Sequence, residues 1–111
     1  MTAPDYRLAL LDFDGTLADT YPVFISALEH VVRQHGLRAI PPEELEAFRG
    51  QHGRVLMQRL GVSWWSLPAV AASMMRAVTA ARHEIRLFAG IAQALHQLDQ
   101  AGVTLAIVST N

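Results

Sequence analysis

Hydrophobic residues follow two different patterns along the 111-residue chain. Leu8 to Leu11 form a continuous apolar run, and a second run extends from Val103 to Val108. Continuous apolar runs are typical of strands that are covered on both faces of a parallel sheet. Between the two runs, apolar positions recur mainly at helical spacing. The pattern therefore predicts two buried strands separated by a long helical region.

Glycine, proline and capping residues divide that helical region into segments. The predicted segments run from Thr20 to Gly36, from Pro41 to Gly50, around Val55 to Gly61, and from Ser66 to about Arg82. Ser66 is expected to cap the fourth helix, whose apolar side includes Met74 and Met75. A fifth helix, from Gly90 to Gly102, leads into the second strand. The chain thus reads as a strand–helix–strand unit that is interrupted by a helical insertion after its first strand.

Composition limits the classes of function that fit this chain. It has a formal net charge of −1, so no electrostatic attraction to nucleic acid or to an anionic membrane is expected. It contains no cysteine, which excludes disulfides and thiol catalysis. The first apolar run is too short for a signal peptide or a membrane span. These features predict a soluble cytoplasmic protein.

Two carboxylates and a glycine follow the first predicted strand, as Asp12, Asp14 and Gly15. Open α/β sheets bind their ligands beyond the carboxyl ends of the strands. Carboxylates there can hold a metal ion, and a glycine turn can direct backbone N–H groups at a phosphoryl group. A solvated Asp-Gly turn in a hairpin is the alternative, but no alternating partner strand follows. A site for a metal ion and a phosphoryl group is the favoured interpretation.

The segment from Leu10 to Thr20 resembles the first motif of the haloacid dehalogenase-like hydrolase superfamily. Leu87 to Gly90, the helix after it and the segment from Leu105 to Asn111 resemble the approach to the second motif. The resemblance implies an α/β fold, with the first half of a Rossmann-like parallel sheet and an inserted α-helical cap. Residues 1–19 and 84–111 would form the core, and residues 20–83 the cap.

The resemblance also implies roles for individual residues. Asp12 would be the nucleophile and Asp14 the general acid and base, and both would bind Mg²⁺. The phosphate ligands would be Gly15, Thr16, Ser109, Thr110 and Asn111. In the cap, Gly50 and Arg54 would contact the substrate, although a solvated arginine is an equal alternative for Arg54. Without the resemblance, the Ser-Thr-Asn end would read as an ordinary turn or helix cap.

The function implied by the resemblance is Mg²⁺-dependent hydrolysis of a small phosphorylated metabolite through an aspartyl-phosphate. The presence of Asp14 favours phosphoryl transfer over dehalogenation, since halide leaves without a proton. A phosphomutase of the same family and a non-catalytic phosphate-binding module are the alternatives. A receiver-like signalling domain fits poorly, because it needs a mid-chain aspartate and none occurs between Asp19 and Asp99.

The family's later motifs, including a lysine, have no counterpart here, since the chain contains no lysine. We therefore expect these residues to be the first half of a longer protein and to be inactive alone. The incomplete sheet is also expected to favour self-association.

Overall fold

The computed structural model describes residues 5–109 and contains four short strands and five α-helices in that range. The elements, in chain order, are β1 (Leu8–Leu11), β2 (Ala18–Asp19), α1 (Tyr21–His35), α2 (Pro42–Ala47), α3 (Gly53–Leu60), α4 (Leu67–Ala80), a 3₁₀ turn (Arg82–Glu84), β3 (Arg86–Leu87), α5 (Ile91–Gln100) and β4 (Thr104–Ile107). Both predicted strands and all five predicted helices are confirmed, with ends that differ by a few residues. The largest difference is at α2, which ends three residues before Gly50.

Strands β1 and β4 form the parallel pair that the two apolar runs predict. Leu8 is opposite Thr104, and Leu11 is opposite Ile107. The ladder continues past the paired residues, because the N–H of Val108 donates to the carbonyl of Leu11 at 2.8 Å. The chain between the strands includes the helical insertion and α5, so the predicted interrupted strand–helix–strand order is confirmed.

The expectation that β1 is covered on both faces is wrong for the described residues. Leu8 and Leu10 are 52% and 65% exposed, whereas the alternate residues Ala9 and Leu11 are half-buried. Successive side chains of a strand point to opposite faces, so one face of the β1–β4 pair is exposed. Helix α5 packs against β4. A continuous apolar run shows that a strand can be buried on both faces. It does not determine whether another element covers each face.

A second ribbon, of β2 and β3, was not predicted from the sequence. Ala18 pairs with Leu87 and Asp19 with Arg86 in an antiparallel ladder. The N–H of Phe88 extends the contact by donating to the carbonyl of Leu17 at 3.0 Å. Two-residue strands are too short to produce an alternating pattern, so only long-range pairing reveals them.

The chain divides into two compact units. The sheet unit comprises the residues up to Pro22 together with those from Glu84 onward, and the helical unit is Val23–His83. In the helical unit, the buried side chains of Leu28, Leu45 and Leu60 form a core cluster. No helix in residues 5–109 is both long and apolar enough to cross a membrane. The assignment of these units as catalytic core and cap stays a prediction.

Helix α4 differs from its sequence prediction at its start and on one side. The Ser66 side chain does not cap it; instead, Ser66 Oγ accepts from the N–H of Ser63 at 3.1 Å. The N–H groups of Ser66 and Leu67 both donate to the carbonyl of Ser63, so a helical turn begins there. Met74 packs on the core cluster as predicted, but Met75 is 69% exposed, so its assignment to the core is wrong.

Two glycines, one at each end of α3, provide a matched test of how backbone conformation affects stability. Gly61 ends the helix with φ 78°, and a Cβ at this position would contact the Arg38 side chain at 3.5 Å. Gly53 is the first residue of the helix and has open space around it. We expect Gly61→Ala to lower the free energy of unfolding by about 1 kcal/mol, because L-residues are disfavoured at positive φ. Gly53→Ala should raise it by about 0.5 kcal/mol. Urea denaturation measures both, and equal effects would contradict the prediction.

Candidate functional site

The first candidate residues lie at the carboxyl edge of the β1–β4 pair. Asp12 follows β1 directly, and Ser109 lies two residues after β4. Because Leu11 is level with Ile107 and bonded to Val108, both chains leave the sheet at the same edge. Parallel pairing therefore brings the acidic loop and the serine to one edge, as the sequence predicts for a ligand site.

The loop after Asp12 is a tight turn around the carbonyl of Phe13. That oxygen accepts three backbone N–H groups, from Thr16 at 3.3 Å and from Leu17 and Ala18 at 3.1 Å each. The N–H of Gly15 donates back to the carbonyl of Ala18 at 3.0 Å. Shared acceptors of this kind fix the path of the chain. The turn therefore holds Asp12 and Asp14 on a rigid base.

Gly15 is required by the conformation of this turn. Its φ is 72°, a region in which glycine is favoured because it has no Cβ. The N–H groups of Gly15 and Thr16 are both used inside the turn. The expectation that the Gly15 turn directs such donors at a phosphoryl group is therefore not met by these two N–H groups. Phosphate binding by Gly15 and Thr16 stays a prediction, with the exposed hydroxyl of Thr16 as the remaining donor.

The two carboxylates differ in environment. Asp12 is exposed, and its Oδ1 accepts the N–H of Phe13 at 2.9 Å. Asp14 is half-buried. It forms an isolated β-bridge with Ala18, in which the residues on either side of Asp14 are hydrogen-bonded to the backbone of Ala18. An exposed carboxylate beside a half-buried one suits a division of roles between nucleophile and proton carrier.

The donor set of the acidic loop fits Mg²⁺. Carboxylate and backbone carbonyl oxygens are hard ligands, and Mg²⁺ is usually held by one or two carboxylates together with water and phosphate oxygens. Within residues 5–109 there is no cluster of three or more metal-ligating side chains. Asp12 and Asp14 thus carry oxygen ligands of the kind that Mg²⁺ prefers, and Mg²⁺ binding by them stays a prediction.

The remaining candidates of the sheet unit are Ser109, Thr110 and Asn111. Ser109 is exposed at the edge just described. Thr110 and Asn111 lie outside the described residues. Their assignment as phosphate ligands stays a prediction.

Gly50 and Arg54 belong to the helical unit rather than to the sheet unit. Gly50 has φ 81° and precedes α3, and Arg54 is the second residue of that helix, with an exposed side chain. The structure therefore places Gly50 in the connection before α3 and Arg54 in the first turn of that helix. Substrate contact by either residue stays a prediction.

One polar contact of the helical unit has no signal in the sequence pattern. His35 is half-buried, and its Nε2 lies 2.8 Å from Oγ of the buried Ser73. Arg76 donates to the same oxygen at 3.1 Å. The contact joins α1 to α4, which are far apart in sequence. Only their packing reveals it.

Known proteins resemble this chain in both sequence and fold. The sequence model for "Haloacid dehalogenase-like hydrolase" matches residues 9–111. A phosphoglycolate phosphatase of Agrobacterium fabrum is 35% identical over 107 residues, which cover 90% of this chain and 46% of that protein. The chain spans about half the length of the curated relatives it matches.

Solved structures share the fold at lower identity. A haloacid dehalogenase-like family hydrolase from Streptococcus pneumoniae aligns with a TM-score of 0.78 and 20% identity, over 96% of this chain and 50% of that one. CbbY from Rhodobacter sphaeroides, crystallised in complex with phosphate, aligns with a TM-score of 0.75 and 23% identity, over 95% and 51%. These alignments confirm the α/β fold with its inserted helices. Together with the family match, they show that the chain belongs to the haloacid dehalogenase-like hydrolases.

Proposed function

We propose that this chain carries the nucleophile of a phosphatase that hydrolyses a small phosphorylated metabolite. The single observation that carries the proposal is the rigid turn that follows β1 and holds Asp12 and Asp14 at the carboxyl edge of a parallel pair. The 35% identical relative is named a phosphoglycolate phosphatase, which supports a phosphate monoester as the substrate class. Phosphoglycolate is accordingly the first substrate to test.

In the first proposed step, an oxygen of Asp12 attacks the phosphorus atom in line with the ester oxygen. A P–O bond to Asp12 forms as the P–O bond to the leaving alcohol breaks. Asp14 donates a proton to that alcohol oxygen. The bond between Asp12 Oδ1 and the N–H of Phe13 holds the carboxylate in a fixed orientation for this attack.

The second step regenerates the enzyme. Asp14, now deprotonated, accepts a proton from a water molecule as the water oxygen attacks the phosphorus atom. The bond between phosphorus and Asp12 breaks, and inorganic phosphate leaves. Ser109 lies at the same edge, where its hydroxyl can donate to a phosphoryl oxygen. Asp12 and Asp14 thus return to their starting protonation states.

The proposal includes Mg²⁺ as the cofactor. A carboxylate oxygen of Asp12 and the backbone carbonyl of Asp14 would hold it, with other positions filled by water and substrate oxygens. When bound, the ion neutralises negative charge on the phosphoryl group, which lets an anionic nucleophile approach. The exposed position of Asp12 leaves its carboxylate accessible to a substrate. A cytoplasmic location accompanies the proposal, since a chain without cysteine fits a reducing compartment.

A panel of phosphorylated metabolites tests the proposed function. Full-length protein is assayed for phosphate release from phosphoglycolate, sugar phosphates and an aryl phosphate, with Mg²⁺ and with excess chelator. We expect release from at least one small monoester, and loss of that activity with chelator. Binding of phosphate without turnover on any substrate would instead favour the non-catalytic phosphate-binding module.

Arg54 is the residue proposed to select the substrate, because its exposed guanidinium can pair with a carboxylate in a two-pronged contact. We expect Arg54→Ala to raise KM for phosphoglycolate about tenfold or more and to leave KM for an aryl phosphate nearly unchanged. Arg33→Ala removes another exposed arginine of the helical unit and serves as the control. Equal effects of the two variants on KM would mean that Arg54 is a solvated surface residue that does not contact the substrate.

A further inference from the structure

The solvent-facing side of α4 is unusual for an exposed helix face. Six residues define this α4 outer face, and all are exposed: Trp64, Trp65, Pro68, Ala72, Met75 and Thr79. Trp64 and Trp65 are 76% and 88% exposed. Arg76 is the single charged residue among the exposed positions between 64 and 80. Exposed helix faces in globular proteins normally carry polar and charged side chains.

The two tryptophans belong to the same surface as the helix. The N–H of Leu67 donates to the carbonyl of Ser63 at 3.0 Å, so the turn at 63–66 already has helical hydrogen bonding. From Trp64, the positions Pro68, Ala72, Met75 and Thr79 follow at steps of four, four, three and four. Residues at these spacings lie on one face of a helix. The tryptophans therefore extend the α4 outer face by a full turn.

The area of this face is sufficient for a stable contact. A buried tryptophan side chain contributes about 150–250 Å², so the four tryptophans of two copies contribute about 600–1,000 Å². A specific interface needs about 1,000 Å² in total, and Met75 and Pro68 of both copies add to the sum. Tryptophan is also the residue type that most often dominates binding energy at protein interfaces.

The absence of charge favours a second copy as the occupant. In a twofold contact each residue meets its own copy or a neighbour of it, so a charged face would repel itself. The one exposed charge next to the face is Arg76, four residues after Ala72, and its guanidinium donates to Oγ of the buried Ser73 at 3.1 Å. A membrane surface is a poorer match, because Arg76 is the one basic residue among the exposed positions between 64 and 80 and the chain has a net charge of −1.

We propose that two copies of this chain associate through the α4 outer face, with the two helices antiparallel and Ala72 at the twofold axis. This arrangement is complementary in size. Trp64 lies opposite the partner's Ala80, and Met75 lies opposite the partner's Ala69. The small side chain of Ala72 allows the helices to approach each other closely at the crossing point. The proposal is independent of the phosphatase activity.

The first test uses the two tryptophans as reporters, because the chain contains no others. Sedimentation velocity over a concentration series should show a monomer–dimer equilibrium. Tryptophan emission should shift to shorter wavelength, and acrylamide quenching should fall, over the same concentrations. Trp64→Ser with Trp65→Ser should raise the dimer Kd about 30-fold or more. Tyr6→Ser, which removes an exposed aromatic residue of the sheet unit, should not change it.

The second test uses single cysteines, which are unambiguous because the chain has none of its own. Ala72→Cys should form a disulfide-linked dimer rapidly under mild oxidation, since the two sulfurs would meet at the axis. Ala92→Cys, at an exposed alanine of α5, should cross-link much more slowly.

Several results would overturn the proposal. One is a monomer at all concentrations, including one whose tryptophan emission shifts only on adding phosphatidylserine vesicles. Another is a dimer with unchanged tryptophan emission, which would indicate association through the β1–β4 pair. Equal cross-linking of the two cysteine variants would also contradict it.

Discussion

Asp12→Asn is expected to reduce turnover of the preferred phosphate ester by several orders of magnitude. The amide has nearly the same shape as the carboxylate, and Oδ1 can still accept the N–H of Phe13. It lacks the negative charge that makes the side chain a nucleophile, so no covalent intermediate forms. The measurement is the initial rate of phosphate release by full-length protein in the presence of Mg²⁺.

Asp99→Asn is the matched control for this prediction. It removes the same charge from an exposed aspartate of α5, in the same unit and outside the acidic loop. Its turnover should equal that of the wild type. Circular dichroism and thermal unfolding should show both variants folded. If folded Asp12→Asn retained more than a few per cent of activity, Asp12 would not be the nucleophile.

Leu60→Ala is expected to lower the free energy of unfolding by about 2–5 kcal/mol. Leu60 is 1% exposed and packs with Leu28 and Leu45 in the core cluster of the helical unit. Truncation removes buried methyl groups and leaves a cavity that the surrounding helices fill only in part. Urea denaturation followed by circular dichroism at a helix wavelength measures the change.

The same truncation at an exposed leucine provides the control. Leu10→Ala in β1 removes the same atoms from a side chain that is 65% exposed. Its effect should stay below about 1 kcal/mol, because little surface is removed from water on folding. Similar losses in both variants would mean that Leu10 is buried in solution, for example by association of the exposed sheet face.

The acidic loop shows how far local sequence information reaches. An apolar run that ends in Asp12, Asp14 and Gly15 predicts a strand, a tight turn and oxygen ligands, and each of these depends on neighbours within a few residues. The structure adds that the Phe13 carbonyl organises the turn and that the N–H groups of Gly15 and Thr16 are used within it. That detail depends on the exact backbone path, which residue types alone do not specify.

The helical unit also has some features that local sequence predicts and others that depend on packing. Helical spacing predicts that α1 ends at Gly36 and α3 at Gly61, because glycine permits a positive φ. The structure confirms both ends. The sequence predicts Ser66 as the cap of α4, but the helical turn begins at Ser63. Both serines are favourable near a helix start, so composition does not distinguish them. Burial of Met74 and exposure of Met75 likewise depend on which side of α4 meets the core.

By itself, the sequence determined the order of β1, the five helices and β4, the family, and the position of two carboxylates and a glycine directly after β1. These follow from periodicity, from backbone preferences and from a motif of consecutive residues, all of which are local. Only the tertiary structure decided the β1–β4 register, the β2–β3 ribbon, the contact of His35 with Ser73, and the exposed faces of β1 and α4. Each of these is set by a contact between segments distant in the chain, and its energy depends on the partner as much as on the residue itself.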